Sequence, residues 1–148
     1  MSPEITALIT LVQRAHLLGT VGELLGWDEQ VNLPPGAAEQ RAAQQSALAE
    51  AQHTAASDPR LGALIAKLEA KGGELSADER VIVAQARRDY DRATRLPAEF
   101  VRDKAAQGSR GFHAWAKAKA ADDFSSYAPV LEKNLEFARR EAAYLGRG

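Results

Sequence analysis

Pro3-Glu4-Ile5-Thr6-Ala7-Leu8-Ile9-Thr10-Leu11-Val12-Gln13-Arg14-Ala15-His16-Leu17-Leu18-Gly19-Thr20-Val21-Gly22-Glu23-Leu24-Leu25 is the stretch that decides the fold class. Ile5, Leu8, Ile9, Val12 and Ala15, then Leu18, Val21 and Leu25, recur at steps of three and four residues. That repeat places them on one face of an α-helix. Ser2 is suited to cap this helix, and Pro3 fits its first turn, where a missing N–H costs nothing. The helix is predicted to stop at Gly26-Trp27-Asp28-Glu29-Gln30-Val31-Asn32-Leu33-Pro34-Pro35-Gly36, since two prolines and a glycine cannot continue it.

Helical signals continue to the end of the chain. Ala37 to Ala56 is rich in Ala and Gln and poor in large apolar residues, so it must pack through a shallow, close face. Ser57-Asp58-Pro59 opens a short helix through Leu61, Leu64, Ile65 and Leu68, which Gly72-Gly73 closes. Ser76 and Glu79 have the spacing of a capping box, with Leu75 placed as its hydrophobic staple. The helix they start is predicted to reach Thr94. Leu96-Pro97 begins the next, carrying Phe100, Val101, Phe112 and Trp115. Gly108 and Gly111 inside it mark a bend or a close helix approach. A last helix follows Asp123-Phe124-Ser125-Ser126 and contains Val130, Leu131, Leu135, Phe137 and Ala138. No strand pattern, repeat or low-complexity linker interrupts this series. The expected fold is all-α, an antiparallel bundle of five to six helices forming a single domain over residues 1–148.

Composition narrows the function classes. The 148 residues carry 19 Lys+Arg against 20 Asp+Glu, a net charge of −1. Proteins dedicated to nucleic acid are usually strongly basic, so no nucleic-acid partner is expected. No Cys is present, which excludes disulfides, a thiol nucleophile and any Cys-ligated metal. No uninterrupted apolar run approaches the ~18 residues of a membrane span. Met1-Ser2-Pro3-Glu4 lacks the basic and apolar parts of a secretory signal. The expectation is a soluble cytoplasmic protein with no membrane partner.

Candidate chemistry is sparse. His16, His53 and His113 lie on three different predicted helices, and none has the two-His spacing of an HExxH zinc helix. His16 reads as a helix-face residue near the core boundary, and His113, beside Trp115, as partly buried and hydrogen-bonded. Among the acid pairs, Asp78-Glu79 and Asp122-Asp123 suit helix N-termini, where negative charge is favoured. Asp89 and Asp91 sit among Arg87, Arg88, Arg92 and Arg95, which suggests intrahelical pairs such as Asp91 with Arg87 or Arg95. Asp28, next to Trp27, reads as a turn-stabilising residue. Residues 1–75 hold 5 basic and 9 acidic side chains and residues 76–148 hold 14 and 11. Because acids interleave the basic stretch Arg87–Arg110, a salt-bridged solvated face is expected there. No phosphate-binding glycine loop and no GxSxG elbow occurs.

Three stretches carry a resemblance. Gly26-Trp27-Asp28-Glu29-Gln30-Val31-Asn32-Leu33-Pro34-Pro35-Gly36-Ala37 resembles the Trp-Asp…Pro-x-Gly segment near the start of the carboxypeptidase Taq family of zinc metallocarboxypeptidases. Leu75-Ser76-Ala77-Asp78-Glu79-Arg80, continuing through Arg88-Asp89-Tyr90-Asp91-Arg92-Ala93-Thr94-Arg95-Leu96-Pro97, is similar to its next helical region. Gly111-Phe112-His113-Ala114-Trp115, through Asp123-Phe124 to Ala128-Pro129-Val130-Leu131-Glu132, resembles the segment after that.

The resemblance covers the family's N-terminal part. It implies removal of C-terminal amino acids from peptides, with a catalytic zinc or other divalent metal held by an HExxH helix and a downstream Glu. No position of this sequence matches those residues, so no catalytic, cofactor-binding or metal-binding residue is assigned here, and no cofactor is expected in this chain. What the resemblance leaves is a helical wall or lid of the substrate cleft, inactive alone as a truncated or stand-alone relative. Helix faces covered in longer members would be uncovered here, which favours a homo-oligomer, a dimer, or association with a protein partner such as a full-length peptidase.

Overall fold

The computed structural model describes residues 2–34 and 36–146. Six α-helices occur among them: α1 (Pro3–Val31), α2 (Ala38–Ala56), α3 (Pro59–Ala70), α4 (Ala77–Arg95), α5 (Ala98–Ala120) and α6 (Phe124–Tyr144). A 3₁₀ turn at Gly72–Glu74 joins α3 to α4, and no strand is present among the described residues. The all-α bundle expected from the sequence is the fold.

Local chemistry sets most helix starts. Ser2 Oγ accepts a bond from the Ile5 N–H at 3.3 Å, and Asp58 accepts one from the Arg60 N–H at 2.9 Å. The Ser76–Glu79 capping box is complete, with the two reciprocal bonds at 3.2 and 3.0 Å. Asp123 Oδ1 accepts from the Ser126 N–H at 3.2 Å. Each such bond satisfies a helix-end donor that would otherwise lack an intrahelical partner.

One boundary differs from its expectation. α1 does not stop at Leu25 but continues through Gly26, Trp27, Asp28, Glu29 and Gln30 to Val31. A single glycine inside a helix costs only about 1 kcal/mol. Here that cost is offset by bonds from Asp28 and Glu29 to α2 and α5. The stop comes at Asn32, just ahead of Leu33-Pro34. Pro35 lies outside the described residues.

The main core lies where α1, α3 and α4 meet, with Ile5, Leu8, Leu61, Ile65, Leu68, Leu75, Val83 and Ala86 buried together. A second cluster joins α5 to α6, where Phe100 packs on Phe137 and Tyr144 at ring distances of 5.7 and 5.1 Å. Between them α2 packs against α1, α4 and α5. The close approach to α1 is made by glycines of α1, which leave room for the larger α2 side chains Gln52 and Leu48. A Cβ at Gly19 of α1 would come within 2.8 Å of the Gln52 side chain, and one at Gly22 would sit 3.6 Å from Leu48. Gly111 of α5 likewise faces Asn134 of α6, with a Cβ-to-Nδ2 distance of 3.2 Å, whereas Gly108 faces open space. Helix α5 runs unbroken through both glycines.

The apolar repeat of α1 does not form one inward face along its whole length. Its first half turns Ile5 and Leu8 into the core, but in its second half Leu17, Val21, Leu24, Trp27 and Val31 are exposed. By length and composition α1 also reaches that of a membrane span, with a mean hydropathy of 1.2 over its most apolar window. No uninterrupted apolar run marks it, because polar residues such as Gln13, Arg14 and His16 fall within the helix. In the folded chain, α1 packs on α2 and α3.

Candidate functional site

Where α1 ends, it brings two acids against different helices. Asp28 turns toward α2, where Arg41 Nη2 donates to its Oδ2 at 2.5 Å, and Asn32 Nδ2 donates to its Oδ1 at 3.2 Å. The same Arg41 donates through Nη1 to the Leu25 carbonyl at 2.5 Å and through Nε to Gln44 at 3.0 Å. Arg41 is only 6% exposed, so its fork is spent on fixing the last turns of α1 against α2. The Arg41 hydrogen bond holds the Asp28 carboxyl below the usual carboxylate range, with help from Asn32. Asp28 is therefore structural, though it acts from within a helix and not from a turn.

Glu29 turns the other way, toward α5, and is 8% exposed. Its Oε1 accepts from His113 Nε2 at 2.9 Å and also from Ser109 Oγ. Ser109 and His113 are four residues apart, which puts both on one face of α5 above the carboxylate. Asp28-Glu29 is visible in the sequence as an acid pair and His113 as a candidate. Beyond the S-x-x-x-H spacing on one helix face, nothing local marks Ser109 or joins it and His113 to Glu29.

The remaining histidines go elsewhere. His53 Nε2 donates to the Ala93 and Leu96 carbonyls at 3.1 and 2.9 Å, capping the C-terminal end of α4 from α2. His16 is exposed and borders a groove with Gln52 and Tyr90. The three histidines do not converge.

These donors do not fit a catalytic zinc ion. Such an ion takes three protein ligands and an open position. Among the described residues, no group of three or more His, Asp or Glu side chains is placed to hold one. Glu29 already carries two donated hydrogen bonds, and the arrangement has the acid between two donors. A base poised on a serine nucleophile would need His113 bonded to Ser109 instead. The cluster can therefore hold α1 to α5, and no metal-dependent step is derived through it.

The basic stretch of α4 and α5 pairs with acids on other helices. Arg87 binds Glu69 at 2.8 Å and its helical neighbour Asp91 at 3.4 Å. Arg92 and Lys104 both reach Glu141, Arg102 reaches Glu50 at 3.6 Å, and Arg110 binds Glu39 at 2.9 Å.

The family model described as Carboxypeptidase Taq (M32) metallopeptidase matches residues 7–148. The chain belongs to that family. It is 36% identical to thermostable carboxypeptidase 1 of Pyrococcus furiosus over 143 residues, which are 96% of this chain and 28% of that one. The crystal structure of BsuCP superposes with a TM-score of 0.89 at 25% identity, covering 97% of this chain and 29% of that one. The structure of Pyrococcus furiosus carboxypeptidase (Apo-Mg) gives a TM-score of 0.71 at 33% identity, covering 98% and 29%. The chain thus spans less than a third of the length of the M32 relatives it matches.

Proposed function

We propose that this chain is the helical wall segment of a metallocarboxypeptidase, and that it does not release C-terminal amino acids from peptides by itself. The observation that carries this reading is the family match over residues 7–148, joined to a donor set that does not fit zinc. Water activation in a zinc peptidase needs an ion with an open coordination position. Here the buried carboxylate–imidazole pair Glu29 with His113 is engaged in tying two helices together. A cytoplasmic setting and a single folded domain belong to the same proposal.

The test is hydrolysis of a peptide with a free C-terminus by the purified chain, with zinc or cobalt added and with a chelator as control. No release above the chelated control is expected. Chelator-sensitive release proportional to chain concentration would overturn the proposal.

An uncovered apolar surface also favours self-association, and the isolated chain is proposed to form a dimer. Light scattering at micromolar concentration checks this, and a monodisperse monomer would contradict it.

A further inference from the structure

Between the last turns of α5 and the first turn of α6 lies a cavity of about 180 Å³, walled by the rings of Trp115, Phe124 and Tyr127. Helical spacing builds its walls. Trp115, Ala118 and Lys119 share one face of α5, and Phe124 and Tyr127 share one face of α6. The turn between the helices folds the second face back toward the first. There the Asp123 N–H donates to the Ala118 carbonyl at 2.9 Å and the Asp122 N–H to the Lys119 carbonyl at 3.3 Å. That pair of bonds is the Schellman pattern of a helix end. Trp115 stays 42% exposed and Phe124 67% exposed, so burial in the core does not account for either ring.

Two features give the cavity its chemistry. The Lys119 ammonium already lies 4.8 Å from the Trp115 ring centre, within the reach at which an aromatic face attracts a cation. Asp122 and Asp123 add carboxylates to the same lining. Asp123 is spent on capping α6, where Ser125 Oγ and the Ser126 N–H donate to it at 2.6 and 3.2 Å. Asp122 has no part in that cap. It sits at φ 53°, at the place in the Schellman turn where glycine is usual. Aspartate tolerates this backbone less well than glycine does, so the turn alone does not call for it. A carboxylate at the rim of a cation-attracting cavity does.

We propose that this cavity binds the trimethylammonium group of a small molecule. The rings would surround its methyl groups, Asp122 and Asp123 would balance its charge, and Lys119 is the resident cation that it displaces. The volume suits one cationic head and not a drug-sized ligand, whose pockets begin at about 300 Å³. A bare ammonium needs partners for its N–H groups, whereas a methylated one has none to satisfy and meets the rings with its methyl groups. The inference does not depend on the peptidase reading.

The test is saturation-transfer NMR on the purified chain with choline, with its neutral isostere carrying carbon in place of nitrogen, and with phosphatidylcholine vesicles. We expect saturable transfer to the choline methyl protons and at least ~5-fold less to the isostere at equal concentration. Lys119→Met removes the resident cation and should tighten choline binding about 3-fold or more. Asp122→Asn keeps a residue that tolerates the turn and should weaken it about 3-fold or more at low salt, with the unfolding midpoint unchanged. Phe124→Leu should weaken it by a similar factor. In a Trp27→Phe background Trp115 is the remaining indole, and its emission should change over the same choline range.

Equal transfer to choline and its isostere would overturn the proposal, because the cavity would then be apolar and blind to charge. Choline binding that none of the three variants moves would overturn it too, by placing the ligand elsewhere. Retention on phosphatidylcholine vesicles without binding of free choline would likewise overturn it and assign the rings to a lipid surface.

Discussion

His113 Nε2 lies 2.9 Å from Glu29 Oε1, across 84 residues of sequence. With Ser109 Oγ on the same oxygen, it closes the end of α1 onto the middle of α5. Leaving a buried donor or acceptor without its partner costs about 1–3 kcal/mol. Glu29→Ala removes the acceptor shared by two donors, and His113→Ala leaves a buried carboxylate with one partner fewer. Each is expected to lower stability by roughly that amount in urea denaturation. The double variant should lose less than the sum, because the two changes break the same bond.

Gly62 of α3 packs under Tyr90 of α4, and a Cβ there would lie 2.6 Å from Oη and 2.7 Å from Cζ of the ring. Gly62→Ala should therefore cost about 1–3 kcal/mol through overpacking. Gly72 faces open space. Gly72→Ala should leave stability unchanged or raise it by up to about 1 kcal/mol by restricting the unfolded chain. Thermal unfolding of the pair checks both.

Ile65 is fully buried where α3 meets α1 and α4. Ile65→Ala is expected to cost about 2–5 kcal/mol, the transfer loss plus the cavity left behind. The same substitution at exposed Val81 should stay within about 0.5 kcal/mol. Parallel denaturation curves with equal slopes would confirm that the difference is one of stability.

Acid should weaken the fold at the junction of α1 and α3. Hydrogen bonds from Lys71 and then Lys67 lower the Glu4 carboxyl to about 2 from its ordinary 4.5. The Arg60 hydrogen bond similarly brings Asp58 to about 2 from 3.8. A depressed carboxyl contributes stability above its unfolded value and loses it as pH falls through the folded one. The unfolding midpoint should therefore drop between about pH 4.5 and pH 2. Lys71→Met should flatten that drop, which midpoints recorded against pH at low salt will show.

What the sequence disclosed followed from how local each signal was. Ser76 and Glu79 form their capping box within one helical turn, so spacing alone revealed it. The change of character at Gly26 and the prolines beyond it predict an end near Leu25, while the bonds that carry α1 on to Val31 come from Arg41, Ser109 and His113, which are distant in sequence. The period of α1 places Val21 on the packing face, yet Val21 is exposed and the close approach to α2 selects Gly19 and Gly22. Glu29 and Asp28 are adjacent and chemically alike. Only the tertiary arrangement buries one and leaves the other half-exposed on Arg41.

Zinc binding to the purified chain tests the central claim most directly, because the account denies this segment a metal site of its own. Titration calorimetry with mass-spectrometric metal analysis should find no stoichiometric zinc and no tight binding isotherm. One zinc per chain, bound tightly and lost on Glu29→Ala or His113→Ala while the fold stays intact by circular dichroism, would contradict it.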